Sequence, residues 1–357
     1  MKWVIKIIFL FSLLLFLSTC KNQGTNPNEQ LKSPFEMTWT ADTIAYPGSM
    51  QTLLTSMCVS SPNDVWIAGH NEINHGKIYH YNGANWTEFY PLGEIPISAW
   101  SIKKVMGLDY HNVWMVGDRR AYTRKDLIIN WNGTKWIEHN LNIQVRPISL
   151  YVNRYNDVWV GCDSAVVLHY DGIRWEKDKL TLNIPQGSEY FINGIILKDN
   201  TVYLNIAVYD INGHRYIFYF VKGGMKNWAV LDSMEQKNPQ SVIKWGNRGL
   251  TLGKKGNIYS YGDWGLWIYN NDVWQRTIPI NYTMLNIYEL NENYKIAVGV
   301  YGMVWFYDGA SWKQINKFYT PDGDLYVSDV WTDGKEIIIL SSTSNQFPQK
   351  TIVWRGK

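Results

Sequence analysis

Four aspartates in this 357-residue chain, Asp118, Asp163, Asp210 and Asp263, stand at similar places in a repeated phrase. Carboxylates brought together in pairs could cleave a glycosidic bond, one as acid and one as base or nucleophile. Each aspartate is read as opening the loop after a strand, and Arg119, Arg120, His214, Trp264 and Tyr301 fall in the same loops of their repeats. Converging, these side chains could line a concave pocket for a sugar, a peptide or an anion. The plainer reading is turn chemistry, because Asp after a strand readily closes a turn. His70, His75 and His80 recur every fifth residue, the first two read as loop and His80 as strand. They lack the supporting carboxylate or further His that a metal site wants, so no metal is expected. No Gly-rich phosphate loop, Ser-His-Asp order or paired CxxC occurs, and no cofactor is expected.

The elements that must position these residues are written several times over. NDVWIAG at 63–69 is followed by IYHYNGANW at 78–86. NVWMVG at 112–117 precedes IINWNGTKW at 128–136, and DVWVG at 157–161 precedes VLHYDGIRW at 167–175. Later copies are GNIYSYG with LWIYNNDVW, ending at Trp274, and KIAVG with VWFYDGASW, ending at Trp312. A degraded copy starts at TVYL, residues 201–204, and ends at Trp228. Each phrase reads as a strand, a loop, a second strand, an Asn-Gly or Asp-Gly hairpin turn, and a Trp opening an outer strand. A further apolar run precedes most copies, such as LLTSMCVSS and PISLYVN. Four antiparallel strands, recurring every 40–50 residues or so, make a propeller blade.

The last unit, from Leu325, stops where its outer strand should follow, and Met37-Thr38-Trp39-Thr40 matches Asn85-Trp86-Thr87. An N-terminal strand completing the last blade would close the ring and remove the seam. The expected fold is therefore all-β: a seven-bladed β-propeller over residues 35–357, with six or eight blades as alternatives. Trp66, Trp114 and Trp159 are expected between blades, since a lone blade cannot bury its own faces. The 19 Trp and 24 Tyr are thus read as core.

The net charge is only +3 and the Lys and Arg are scattered. Nucleic-acid binding usually needs a concentrated basic face, so no nucleic-acid partner is expected. Lys2, Lys6 and the apolar run Ile7–Leu17 form an export signal, residues 1–19. Leu17-Ser18-Thr19-Cys20 resembles a bacterial lipobox, with Thr19 where Gly, Ala or Ser is usual. The resemblance implies that Cys20 is lipidated and holds the chain to a membrane of the bacterial cell envelope, at the outer membrane or cell surface. Residues 20–34, polar and rich in Asn, Gln, Gly and Pro, read as a flexible tether. Cys58 and Cys162 fall in different repeats and are expected as unbridged thiols.

The phrase G-N-I-Y-x-x-G-x-x-G-L-W-x-Y at 256–269 resembles the propeller repeats of two-component regulator sensors. The DVW-x-x-G and HYDG-x-x-W phrases look like those of bacterial surface and periplasmic propeller lipoproteins. The resemblance implies fold and compartment, with ligand sensing as an analogy. Sialidase-type propellers carry S-x-D-x-G-x-x-W, whereas Asp171 and Gly172 are adjacent here, which argues against glycosidase activity. The expectation is a non-enzymatic, monomeric binding module for a protein or glycan. The alternative is a polysaccharide-active hydrolase or lyase.

Overall fold

A computed structural model describes residues 31–73, 75–89, 100–119, 125–236 and 243–357. Cys20, Arg120 and most of the tether lie outside them. Seven four-stranded antiparallel sheets form a seven-bladed β-propeller. The innermost strands are Thr52–Ser61, Trp100–Asp109, Pro147–Arg154, Glu189–Lys198, Gly249–Leu252, Met284–Asn291 and Leu325–Thr332. Each contacts the next around the ring, and the last contacts the first. Among the described residues no helix is long and apolar enough to cross a membrane.

The last sheet joins the first and last described strands. Trp39–Ile44 pairs with Thr351–Gly356 over six residues and supplies the outermost strand of blade 7. The tryptophans expected to open outer strands do so or lie one residue inside: Trp86, Trp136, Trp175, Trp228, Trp274 and Trp312. The turns before them use an Asx cap. Asn82, Asn132, Asp171 and Asp308 accept backbone N–H bonds from two and three residues on. The glycine that follows each has φ near +90°, which other residues reach only at a cost.

Second strands are buried on both faces because each blade is covered by two neighbours. Val65, Trp66, Ile67 and Ala68 are all buried, which explains an apolar run rather than an alternating one. Trp66 packs against Ile102, Val105, Met115 and Leu127 of blade 2. Trp114 packs with Leu150, Val152 and Val160 of blade 3, and Trp159 with Ile192, Ile195 and Leu204 of blade 4. The tryptophans are wedges between blades.

A histidine stacks on each of these wedges, on Trp114 through His139. His80 Nε2 lies 2.7 Å from Asp64 Oδ1 and its ring stacks on Trp66 at 4.4 Å. His169 Nε2 lies 2.9 Å from Asp157 and stacks on Trp159 at 3.9 Å, while Trp159 Nε1 donates to the same Asp157 oxygen. His70, expected in a loop, instead lies in the strand Asp64–Asn71, paired with Leu53. His75 does sit in a loop, stacked on Tyr46. The five-residue spacing therefore joins three different environments. Cys58 and Cys162 are free thiols, and burial pushes the Cys58 thiol up to about 12.

Candidate functional site

Strand direction divides the propeller into two ends. Turns between second and third strands, and the connections from one blade to the next, share one mouth. Turns between first and second strands, and between third and fourth, share the other. All the candidate pocket residues within the described regions belong to the first mouth.

The positions of two candidates correct the sequence reading. Asp118 and Arg119 do not follow their strand; they lie inside Asn112–Arg119, paired with Asp126 and Lys125. The hairpin simply continues the ladder for two more pairs. Asp210 is likewise the last residue of Thr201–Asp210. Asp163 and Asp263 directly follow Asp157–Cys162 and Ile258–Gly262.

Each aspartate is tied to a cation of its own blade. Arg146 donates to Asp163 through its backbone N–H and its Nε, both at 2.9 Å, and Asp163 is buried. Arg215 Nε donates to Asp210 at 2.9 Å and Gly213 N–H at 3.0 Å. The Gly213 N–H bond and Arg215 hold the Asp210 carboxyl below its usual range. Asp263 accepts from Arg248 Nε at 2.9 Å, Thr283 Oγ1 at 2.7 Å and Asn247 Nδ2 at 3.3 Å. Burial raises its proton affinity, but Thr283, Arg248 and Asn247 outweigh it and the carboxyl sits low. Asp118 lies 3.6 Å from Lys103 Nζ. A glycosidase acid needs a raised pKa; Asp210 and Asp263 are shifted the other way. Glu72, which the sequence did not single out, does similar work in blade 1, accepting from Ser49 Oγ and the Met50 and Gln51 N–H groups. Among the described residues, no group of three His, Cys, Asp or Glu could hold a metal.

Three candidates sit at turn tips with left-handed backbone: His214 at φ 47°, Trp264 at 74° and Tyr301 at 61°. Trp and Tyr gain nothing locally there, where Gly or Asn would be cheaper. Tyr301 is held so by Thr320 N–H, which donates to its carbonyl at 3.0 Å, and its ring meets Tyr282 at 5.2 Å. His214 and Asp263 line one groove of about 680 Å³ between blades 4 and 5, with Phe191, Tyr216, Phe218 and Arg248. The structure brings these two candidates together. It leaves Asp163 and Asp210 inside separate ion pairs.

The sequence reading missed most of the apolar rim. Met50, Ile211, Tyr216, Tyr282, Tyr301, Tyr319 and Phe347 are all exposed, and all lie at this mouth. Their signal was available: Tyr282 and Tyr319 are aromatics in blade-to-blade connections, where no neighbouring blade needs a wedge. The missed partners Arg146 and Arg248 each stand immediately before an inner strand.

Fold and mouth together define the class: a seven-bladed β-propeller whose candidate binding surface is one aromatic-rimmed end. No protein-family model and no curated protein matches the chain. Among solved structures it is similar to "YCF48 bound to D1 peptide", at 12% identity and a TM-score of 0.59, covering 89% of this chain and 96% of that one. It is also similar to BamB from Moraxella catarrhalis, at 12% identity and a TM-score of 0.44, covering 85% and 83%. The extracellular domain of the BT4673 system from B. thetaiotaomicron matches at 11% identity and a TM-score of 0.31, covering 82% of this chain and 53% of that one. At these identities the likeness is one of fold.

Proposed function

We propose that this chain is a non-enzymatic binding module of the bacterial envelope, anchored through Cys20, that takes a protein segment at its aromatic-rimmed mouth. The carrying observation is the rim: seven exposed apolar side chains at one end, two of the candidate aromatics on left-handed turn tips. Exposed Tyr supplies large contact area with little rotamer entropy to lose, which suits peptide recognition. Left-handed Trp and Tyr carry a local cost of about 1–2 kcal/mol each, which a binding role for these side chains would offset. That one propeller of similar fold was solved with a peptide supports the reading by analogy. A glycan ligand and polysaccharide cleavage are the competing outcomes.

The test uses peptide arrays and glycan arrays in parallel, with polysaccharide turnover assays, on wild type, Tyr282→Ala and Tyr301→Gly. Peptide binding should weaken about tenfold or more in both variants. Tyr301→Gly should meanwhile leave thermal stability unchanged or raised by about 1 kcal/mol, because Gly tolerates φ 61°. Binding to glycans alone, binding indifferent to both variants, or polysaccharide turnover would each reject the reading.

A further inference from the structure

The innermost strands share a device that one blade does not use. In six blades a register shift, or in blade 5 an uninterrupted pairing, brings one residue to an equivalent place facing the central channel. These residues are Ser56, Lys104, Ser149, Gly194, Gly249, Asn286 and Asp329. Four of the five side chains at this level stitch blades together. Ser56 Oγ accepts from Val105 N–H at 3.0 Å, and Ser149 Oγ donates to the Ile192 carbonyl at 2.7 Å. Asn286 Nδ2 donates to Asp329 at 2.6 Å, and Asp329 accepts from Met57 N–H at 2.9 Å.

Lys104 is the exception. Its side chain lines the central channel, yet among the described residues no acceptor lies within hydrogen-bonding distance of Nζ and no carboxylate within ion-pair distance. Across the ring, the missing side chains of Gly194 and Gly249 make room. A Cβ on Gly249 would sit 2.3 Å from Tyr261 Oη, so glycine there lets a second-strand tyrosine reach the channel. Tyr261 Oη also makes no hydrogen bond among the described residues. Tyr261 and Asp329 line the same channel as Lys104. Asp329 is occupied: its two oxygens accept three N–H donors, from Met57, Asn286 and Val330.

An ammonium and a phenol thus face one channel space of about 280 Å³, both with donors to spare. An ammonium with no direct acceptor, lining a half-open channel, is free to meet an anion that enters. We propose that the central channel is a site for a small oxyanion, a carboxylate or a phosphate, held by Lys104 Nζ and Tyr261 Oη. The space admits such a group with a few waters, at about 30 Å³ each, and no folded partner. The lysine is a point charge without the planar fork of arginine, so it selects for negative charge rather than for one oxyanion geometry. This site stands apart from the mouth reading and does not depend on it.

The experiment is thermal melting at constant ionic strength, with chloride exchanged stepwise for acetate or for inorganic phosphate. Wild type should show a saturable rise in Tm with at least one probe, and the probe that saturates identifies the oxyanion class. Lys104→Met should abolish the saturable rise, and Tyr261→Phe should weaken the apparent affinity up to about tenfold, as loss of one hydrogen bond does. No saturation with either probe, or the same saturation in Lys104→Met, overturns the proposal. Should Lys104→Met fail to fold, Tyr261→Phe decides: unchanged affinity overturns the site and weakened affinity supports it.

Discussion

At the scale of single residues, hydrogen-bond partners decide what a titratable group is for. His139 is the clearest case. Its ring stacks on Trp114 at 4.8 Å, and Nδ1 accepts from Trp175 Nε1 at 3.1 Å. Nε2 lies 2.9 Å from Asn130 Oδ1, so the neutral tautomer carrying its proton on Nε2 satisfies both contacts. Burial pushes its pKa down to about 4 from the ordinary 6.5. The unfolded chain therefore takes up a proton near pH 6.5 that the folded chain refuses until about pH 4. Stability from this site is complete above that range and is lost as pH falls through it. After allowance for partial exposure the loss is on the order of 2 kcal/mol. Urea unfolding at pH 7 and pH 4.5 should show a smaller pH penalty in His139→Gln than in wild type. An equal penalty would mean that the imidazole is not held neutral.

At the scale of elements, the strand Trp39–Ile44 carries more of the fold than its six residues suggest. It covers the edge of Thr351–Gly356, and its Asp42 accepts from Trp86 Nε1 of blade 1 at 3.0 Å. Trp39 packs edge-on against Phe318 at 4.9 Å. Deleting residues 1–44 should lower Tm by at least about 10 °C or abolish a cooperative melt, whereas deleting residues 1–31 should not. Equal melting of the two truncations would make the closing strand dispensable. This strand was legible in the sequence because Trp39 repeats a local phrase. So were the wedges and the Asx turns, whose signals lie within a few neighbouring residues. The inner strand of blade 5, Gly249–Leu252, was not: four residues with a glycine and a threonine make no apolar run. Asp118 and Arg119 were read as loop because ladder length is set by the partner strand. The ion pairs of Asp163 and Asp263 join residues 15–17 positions apart, and only the fold reveals them. Lys104 left one faint trace, the second of two adjacent lysines inside an apolar run.

At the scale of the whole molecule, the position of the chain's approach bears on anchoring. Lys32 N–H donates to the Gly334 carbonyl at 2.9 Å, and Tyr294 Oη donates to the Lys32 carbonyl at 2.9 Å. Gly334 lies in the turn between the first and second strands of blade 7, which is the end opposite the aromatic rim. Lys32 is thus fixed at the end away from the aromatic rim. Under the proposed anchoring, a single acyl chain would give only marginal membrane affinity, and a diacylated Cys20 would supply the two signals that durable attachment takes. Cys20→Ser should therefore move the exported protein from the membrane fraction to the soluble fraction while leaving peptide affinity at the mouth within about twofold of wild type. Fractionation by ultracentrifugation, with binding measured on both forms, checks both halves. Retention of Cys20→Ser in the membrane fraction would rule out the lipid as the anchor. Loss of mouth affinity on release would show that anchoring and binding are coupled.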